Sequence, residues 1–347
     1  MGNRLDAPAV TLGEGADLGA EDGLGGVFGN AVEWRGQRLK LRRDGRISNG
    51  QDGAQGEAPL VEDVSDKFAP PALTPEELDI EQRALDRVQS DLLTLVQQYR
   101  NTFGNEISTD NAREIVSPEY AASREGRTQW SNATLRPASS LAGHLFRDML
   151  SHPDPVKPRQ IVMTAGGPGA GKTSSLKALP GLERVQLVYD GNLSDPVASV
   201  RSIEAAKSAG NRVEVVYVRR DPVDALAHGV LPRAMDERNG RIVTLEAHVR
   251  LHCNAAKNLR YLRARYVRDP LVHFIALDNN GPRGQAHPIP VEEAAQEGYT
   301  KEELLPRLRE ALEQEYVNGR ISEAVYRATL GSFAPGAMGG SRGDSGL

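Results

Sequence analysis

One stretch of the chain combines glycines, a lysine and a threonine at a spacing that suits phosphate binding. Residues 166–173 read Gly-Gly-Pro-Gly-Ala-Gly-Lys-Thr and fit the pattern G-x-x-x-x-G-K-[ST] without a mismatch. Glycines let backbone N–H groups approach phosphate oxygens closely where a helix begins. In such a loop the lysine reaches the β- and γ-phosphates and the threonine hydroxyl binds Mg²⁺. We therefore predict a site for ATP and Mg²⁺, with Thr173 as the metal ligand, formed by Gly166, Gly167, Pro168, Gly169, Ala170, Gly171, Lys172, Thr173 and Ser174.

The residues on either side of this loop support the prediction. An apolar run at 160–165 precedes the glycines, and a helical pattern at 172–179 follows them. A strand before the loop and a helix after it are the context that a phosphate-binding loop requires. The alternative is a glycine-rich turn that binds nothing. Such a turn gives no reason for a Lys-Thr pair at this position.

Other residues narrow the class of P-loop protein. The chain has no Asn-Lys-x-Asp motif of the kind that reads the base in GTP switches. The run 186–189 ends in Asp190, but Gly191 follows instead of the second acid of a motor ATPase. Kinases for small molecules need a carboxylate that accepts the proton of the acceptor hydroxyl, and arginines on a lid that stabilise the transferring phosphoryl group. Arg233 and Arg241 flank a polar stretch, 236–240, that we interpret as such a lid.

Strand and helix patterns alternate through the second half of the chain. Apolar runs at 160–165, 185–189, 212–218 and 271–277 predict strands, and the segments 172–179, 194–209, 221–235 and 244–266 predict helices. This alternation is typical of an α/β protein with a mostly parallel sheet and helices on both faces. Open sheets of this kind bind ligands at the carboxyl ends of their strands, where Asp190 would lie. Asp-Gly also suits a simple turn.

Helices are predicted on both sides of this region. Thr74-Pro75-Glu76-Glu77 is a capping box, and the helical pattern after it ends at Gly104. A short apolar piece at 107–110 and a helix at 139–150 come before the first strand of the alternating region. A second capping box at 300–303 begins a helix that runs to about Tyr316. The folded domain should therefore span residues 74–330.

Composition sets the wider expectations. Residues 1–70 and 331–347 are rich in glycine and poor in apolar periodicity, so both should be mostly disordered, apart from a small hairpin at 31–49. A net charge of −5 gives no general attraction to nucleic acid. No apolar run reaches the roughly 20 residues of a membrane helix. The chain has one cysteine, Cys253, which suits a reducing cytoplasm. We expect a cytoplasmic protein that binds neither nucleic acid nor membrane, with a secreted effector as the alternative.

The stretch from Ile161 to about Asn279 resembles the zeta toxin family of P-loop kinases. Besides the P-loop, the similar segments are Val188–Leu193 (VYDGNL), Ala205–Gly210 (AAKSAG) and Arg241–His248 (RIVTLEAH). The best known members phosphorylate UDP-N-acetylglucosamine on the 3′-hydroxyl of the sugar and are restrained by a small antitoxin. The resemblance implies a P-loop kinase fold, a sugar nucleotide as acceptor and an antitoxin partner. It also implies that Asp190 helps to hold the substrate and that Arg233 and Arg241 clamp the phosphoryl group.

The chain departs from the family in the order of its segments. The family has a D-x-x-R…P-E-Y stretch after the P-loop helix, whereas this chain has Asp110-Asn-Ala-Arg113 and Pro118-Glu-Tyr120 before the P-loop. We infer a permuted order, in which the strand bearing Asp110 precedes the P-loop strand and yet lies beside it in the sheet. Asp110 would be the general base, and Arg113 would support the substrate. If Asp110-Asn111 only caps a helix, Asp190 becomes the candidate base.

The sequence leaves the acceptor open. The first hypothesis is transfer of the ATP γ-phosphoryl group to a hydroxyl of a sugar nucleotide. A second keeps the fold but changes the acceptor to another metabolite or nucleotide. A third is a nucleotide-dependent binding module or ATPase without a small-molecule acceptor. His248 and His252 are four positions apart on a predicted helix, but no third ligand stands at a zinc spacing, so we interpret them as ordinary helix histidines.

Overall fold

The computed structural model describes residues 73–331 except 177, 178, 180, 238, 283 and 297, together with the backbone of three short strands nearer the N-terminus. These strands are β1 (Ala31–Trp34), β2 (Gln37–Leu41) and β3 (Ile47–Ser48), and they pair antiparallel in the order β1-β2-β3. The remaining residues of the two predicted disordered segments lie outside the described residues, apart from Gly331, which ends the last helix.

A six-stranded sheet forms the centre of the domain, with strand order β4-β6-β5-β7-β8-β9. Neighbouring strands run parallel except at the β8–β9 edge, where the pairing is antiparallel. The four strands predicted from residue 160 onward are all present, which confirms the mostly parallel sheet. The strands are β4 (Glu106–Ser108), β5 (Gln160–Ala165), β6 (Leu187–Asp190), β7 (Arg212–Arg219), β8 (Val272–Asp278) and β9 (His287–Ile289).

Helices cover both faces of the sheet, so its central strands are mostly apolar, with Thr164 and Glu214 as buried exceptions. All residues of β5 after Gln160 are buried, and β7 is buried from Val213 to Val218. The helices are α1 (Pro75–Ser90), α2 (Leu92–Phe103), α3 (Thr109–Val116), α4 (Pro118–Ala121), α5 (Arg124–Gln129), α6 (Leu135–Ser151), α7 (Lys172–Leu176), α8 (Pro196–Ser208), α9 (Pro222–Ala225), α10 (Leu231–Met235), α11 (Leu245–Arg265), α12 (Val291–Gln296), α13 (Lys301–Val317) and α14 (Glu323–Leu330). A 3₁₀ turn (Leu182–Arg184) precedes β6, and a π turn (Leu226–Val230) joins α9 to α10.

The two predicted capping boxes start helices as expected. Thr74 and Thr300 each accept a hydrogen bond from the third residue of their helix, whose glutamate side chain accepts in return from the capping residue. The single helix predicted between Thr74 and Gly104 is instead two, because the chain breaks at Asp91. Aspartate favours helix ends, since its short polar side chain competes for backbone hydrogen bonds. Gly104 ends the second helix with a positive φ of 64°.

The strand before Asp110 lies at the edge of the sheet and not where we predicted it. β4 precedes β5 in the chain, but it pairs with β6, with Ile107 opposite Tyr189. β6 therefore stands between β4 and the P-loop strand, and the prediction that these two strands are neighbours is wrong. Both edges of β5 are already occupied, by β6 on one side and β7 on the other. The strand therefore pairs with the far edge of β6.

The core falls into a large cluster around the sheet and two smaller ones. The large cluster joins the N-terminal helices to the sheet and to the middle of α11, through Tyr99, Leu141, Met163 and Leu259. A second cluster packs the start of α11 against α13 and α14, where Leu308 and Val325 are buried. Within the described residues no helix has both the length and the apolar character needed to cross a membrane.

Candidate functional site

A cleft of about 1470 Å³ opens at the carboxyl ends of the parallel strands. This is where open α/β sheets bind ligands. Its walls come from the P-loop, from α3, from the end of β6 and from the segment between α10 and α11. Gly166, Gly167 and Ala170 are not among its lining residues, but every other predicted site residue is: Asp110, Arg113, Pro168, Gly169, Gly171, Lys172, Thr173, Ser174, Asp190, Arg233 and Arg241.

The P-loop holds a backbone conformation that only glycine adopts easily. Gly166, Gly169 and Gly171 have φ values of 129°, 73° and 87°. A Cβ atom on Gly169 would lie 2.3 Å from the carbonyl oxygen of Ala225 in α9. The glycines therefore serve both the turn itself and the close contact with the neighbouring helix. Helix α7 begins at Lys172 directly after the loop, which leaves its first N–H groups for an anion.

The ammonium group of Lys172 is held inside the loop. Its Nζ donates to the carbonyl oxygens of Gly166 and Gly167 at 3.1 and 3.2 Å and to Oδ1 of Asn192 at 2.9 Å. Burial lowers the pKa of Lys172, and the carboxylates of Asp190 and Asp110 oppose that shift. All three bonds go to neutral oxygens, so the charge stays available to a phosphate.

Asp190 lies between two threonines at the carboxyl end of β6. Thr164 Oγ1 is 2.6 Å from Oδ1 of Asp190 and accepts from the backbone N–H of Gly191 at 3.0 Å. Thr173 Oγ1 lies 3.5 Å from the other oxygen, Oδ2, at the long limit for a hydrogen bond. The predicted metal ligand and this carboxylate therefore face each other across the start of α7.

Asp110 is the second residue of α3 and does not cap it. Ser108 is the cap, because its Oγ accepts from the N–H of Asn111 at 3.0 Å. The alternative that Asp110-Asn111 caps this helix is therefore wrong, and the Asp110 carboxylate is turned to the cleft with 44% of its side chain exposed. Its two oxygens accept from Arg113 Nη1 at 2.9 Å and from Arg241 Nη1 at 2.8 Å.

The charge around Asp110 keeps it ionised. Burial by the surrounding protein raises the pKa of Asp110, but Arg241, then Arg113, and more weakly Arg233 and Lys172 together hold it below its ordinary value. Burial lowers the pKa of Arg233, and Asp110 partly restores it. The P-loop lysine, the carboxylate and the arginines thus act on one another across a single cleft.

The segment between α10 and α11 is anchored at its glycine. Gly240 has a φ of 65°, and a Cβ on it would lie 2.6 Å from the carbonyl oxygen of Arg124 in α5. Thr128, also in α5, donates its hydroxyl to the carbonyl oxygen of Gly240 at 2.8 Å. This contact places Arg241 against Asp110. Arg233, on α10, donates through Nε to the carbonyl oxygen of Gly229 at 2.9 Å.

Three residues that the sequence did not assign to the site also contact the P-loop. Arg220 donates to the carbonyl oxygen of Gly169 at 3.1 Å and pairs with Asp224. Asn279 donates to the carbonyl oxygen of Ala170 at 2.8 Å. Asn192 binds Lys172. Arg220 and Asn279 directly follow β7 and β8. Because ligands bind at the carboxyl ends of parallel strands, both residues could have been predicted from the sequence as site residues. Arg219, by contrast, pairs with Asp278 and Glu293.

Comparison with known proteins finds a similarity over part of the chain. Residues 182–282 match the family model described as Zeta toxin. A search of curated proteins finds no match. The matched segment runs from the 3₁₀ turn before β6 past the end of β8, and so holds Asp190, Arg233 and Arg241. Its family has a P-loop kinase fold, which agrees with the sheet order and with the loop at the start of α7. Residues 182–282 are therefore similar to the zeta toxin family, and the P-loop lies outside the matched segment.

Proposed function

We propose that this protein is an ATP-dependent kinase that transfers the γ-phosphoryl group to a hydroxyl of a sugar nucleotide such as UDP-N-acetylglucosamine. The observation that carries the proposal is that the P-loop, an ionised aspartate and two arginines line one cleft. The cleft volume of about 1470 Å³ exceeds the roughly 300–1,000 Å³ usual for a single ligand. It offers room for a nucleotide donor and a second large ligand.

The residues present fit ATP and Mg²⁺. The glycine loop and the N-terminus of α7 supply N–H groups, and Lys172 supplies positive charge for the β- and γ-phosphates. Thr173 and Asp190 offer the hydroxyl and carboxylate oxygens that Mg²⁺ prefers, from opposite sides of one gap. When bound, Mg²⁺ neutralises charge on the phosphates. We therefore assign Asp190 to the metal side of the site as well as to substrate binding, where the resemblance placed it.

The acceptor hydroxyl would be placed by Asp110 and Arg113. Asp110 is ionised, so it can accept a hydrogen bond from the hydroxyl and take its proton as the new O–P bond forms and the bond from the γ-phosphorus to the bridging oxygen of ADP breaks, with ADP as the leaving group. Its low pKa makes it a weak base, which suits a reaction in which the proton leaves late and orientation matters most. Arg233 and Arg241 would stabilise the charge on the transferring group. Arg241 now binds Asp110, so it would exchange that partner for the phosphoryl oxygens.

Two alternatives keep the same fold. Another metabolite or nucleotide could be the acceptor, since none of these side-chain contacts is specific for a sugar. A nucleotide-dependent binding module or ATPase would use the P-loop without Asp110. The position of Asp110 inside the cleft favours a kinase over such a module. The family also supports an antitoxin partner, which we propose as a protein that covers this cleft, and a role as a toxin or effector.

The test is transfer of the γ-phosphoryl group from MgATP to UDP-N-acetylglucosamine, with the product followed by mass spectrometry. We expect the wild type to form a monophosphorylated sugar nucleotide and Lys172→Ala to abolish it. Asp110→Asn should lower kcat by roughly 10²–10⁴-fold, the usual contribution of a general base. Asp148→Asn is the matched control, because Asp148 also pairs with an arginine, Arg100, but does not line the cleft.

The outcomes separate the possibilities. Full activity of Asp110→Asn together with loss of activity in Asp190→Asn would transfer the role of base to Asp190. ATP binding without transfer to any sugar nucleotide would contradict the proposed acceptor and direct the search to other metabolites. ATP turnover that needs only a protein partner would favour the binding module.

A further inference from the structure

Helix α11 runs behind the P-loop and carries three polar side chains that the proposed chemistry does not use. His248 and Asn258 are fully buried and His252 is 7% exposed. Buried polar groups of this kind are expensive unless they are hydrogen-bonded. Each of the three points a nitrogen at a backbone carbonyl oxygen of a different segment of the site.

His252 supports the P-loop from behind. Its Nε2 lies 3.0 Å from the carbonyl oxygen of Pro168. A Cβ atom added to Gly167 would lie 2.3 Å from the imidazole ring, so the ring packs directly on the loop backbone. These contacts fix two consecutive residues of the loop. Within the loop, the N–H of Ala170 also donates to the carbonyl oxygen of Gly167 at 3.3 Å, but an N–H group that binds phosphate cannot hold the loop as well.

His248 makes the equivalent contact to the helix that leads to Arg233. Its Nε2 lies 2.8 Å from the carbonyl oxygen of Pro222, the first residue of α9. From there the chain continues through the π turn into α10, which carries Arg233. The centroids of the His248 and His252 rings lie 4.4 Å apart. The histidine that contacts the P-loop and the one that contacts α9 therefore also contact each other.

Asn258 holds the loop that follows β6. Its Nδ2 donates to the carbonyl oxygen of Leu193 and to the hydroxyl of Ser199, the latter at 2.9 Å. Leu193 has a φ of 45°, a left-handed conformation that is unfavourable for leucine and must be held by its surroundings. The residue before it, Asn192, binds Lys172 through its side chain and Gly166 through its carbonyl oxygen.

Both histidines are held neutral. A carbonyl oxygen only accepts, so each Nε2 must carry its proton as the donor. Burial lowers the pKa of His248 to about 4. Burial, followed by His248 and Lys172, keeps the pKa of His252 well below its ordinary value. Both rings are thus neutral at neutral pH, and their hydrogen bonds to carbonyl oxygens place the single proton of each on Nε2.

We propose that α11 is a positioning element of the kinase site, in which His252 sets the P-loop, His248 sets the helix of Arg233, and Asn258 sets the loop of Asn192. The part that concerns Arg233 rests on the proposed function, while the part that concerns the P-loop needs only nucleotide binding. The three side chains share one helix and similar burial. If the three side chains only stabilised the fold, their substitutions would have similar effects on nucleotide binding and on kcat. If each positions a different segment of the site, the effects should differ according to the segment.

The experiment measures binding of MgADP by calorimetry and phosphoryl transfer by product formation, well below the melting temperature of each variant. We expect His252→Phe to weaken MgADP binding about tenfold, the effect of one lost hydrogen bond of ordinary strength. His252→Gln should restore most of it, because its amide nitrogen can take the place of Nε2. His248→Phe should bind MgADP within about twofold of wild type but lower kcat about tenfold. Cys253→Ala is the control, since Cys253 is buried on the same helix but packs in the second cluster.

Specific results would overturn the proposal. One is folded His252→Phe that binds MgADP as tightly as the wild type. Another is a set of losses that follow the drop in melting temperature equally in all variants, Cys253→Ala included. If His252→Phe does not fold, the MgADP affinities of His252→Gln and of the shorter His252→Asn are compared instead. Equal MgADP affinities in these two variants would contradict the proposal that His252 positions the P-loop. Wild-type protein that binds MgADP without transferring phosphate would count against the proposed function, and the binding comparison would still decide the role of His252.

Discussion

Asp110 shows what sequence patterns can and cannot predict about single residues. The resemblance of the Asp110–Arg113 and Pro-Glu-Tyr segments to the zeta toxin family singled out Asp110 and Arg113, and a separate segment singled out Arg241. That Arg241 binds Asp110 could not be predicted, because the two are 131 positions apart and meet only through the fold. The same holds for Arg220 and Asn279, which reach the P-loop from the ends of other strands.

The ion pair makes the protonation of Asp110 depend on Arg241. Arg241 and Arg113 lower the pKa of Asp110 against the effect of burial. A lowered folded-state pKa means that Asp110 adds stability above its unfolded pKa, and that this stability is lost as the pH falls through the folded pKa. Arg241→Gln should therefore raise the pKa of Asp110, because it removes the adjacent positive charge that contributes most to lowering it. The carboxyl ¹³C chemical shift of Asp110 against pH measures it directly.

A control and a contrary result complete this test. Arg309→Gln changes an exposed arginine of α13 and should leave the titration of Asp110 unchanged. The acid limb of unfolding should move to higher pH in Arg241→Gln only. A midpoint identical in wild type and Arg241→Gln would mean that Asp110 owes its low pKa to Arg113 and the other cations.

At the scale of elements, the contact between the P-loop and the α9–α10 segment was not predicted. The sequence indicated one helix over 221–235, and the structure has two short helices joined by a π turn. π turns are rare and often occur at functional sites. Here the turn brings Gly229 against Gly169, and periodicity alone cannot reveal it because its residues remain helical. The boundaries of β5, β7 and α11 were predicted well, since apolar runs and caps mark them.

Gly229→Ala tests whether this contact matters. A Cβ at Gly229 would lie 2.5 Å from the carbonyl oxygen and 2.8 Å from Cα of Gly169, both backbone atoms that cannot move aside without shifting the loop. We expect MgADP binding about tenfold weaker, as a shift of the loop would remove at least one phosphate hydrogen bond. Calorimetry and a melting curve measure affinity and stability separately.

Gly143→Ala is the matched control. Gly143 lies in α6, and the nearest atom to an added Cβ is a flexible arginine end at 3.6 Å. Alanine should stabilise this helix by about 0.5–1 kcal/mol through its better helix propensity. Unchanged MgADP affinity in Gly229→Ala would show that the loop tolerates the methyl group and that the contact is only packing.

At the scale of the whole molecule, the alternation of strands and helices predicted the class of the fold but not the full order of its sheet. The predicted position of β4 was wrong by one strand, because no local sequence pattern indicates with which free edge a three-residue strand pairs. β9 and α14 were missed, since both are short. The proposed permutation itself concerns only how segments are joined, and every side chain that lines the cleft would keep its place in either order.

A rearranged chain tests that proposal. Joining residues 159–181 to 73–152 and then to 182–331 with flexible linkers places the Asp110 segment after the P-loop helix, as in the family order. If the segments are interchangeable units of one sheet, this chain should bind MgADP with affinity within about threefold of wild type, because flexible loops add little closure entropy. A chain with the same linkers inserted in the native order is the control. Folded protein that does not bind MgADP would contradict the permutation.

The edge position of β4 also sets an order of events during synthesis. Ile107 leaves the ribosome about 80 residues before Tyr189, the residue it pairs with. During that interval the helices α1, α2, α3 and α6 can pack around Tyr99 and Leu141. Both edges of β4 are unpaired until β6 is available, and unpaired strand edges are prone to aggregation. The segment that holds Asp110 is thus synthesised first, and the cleft cannot be complete until β6 has joined β4 to β5 and the later residues Arg233 and Arg241 have been added.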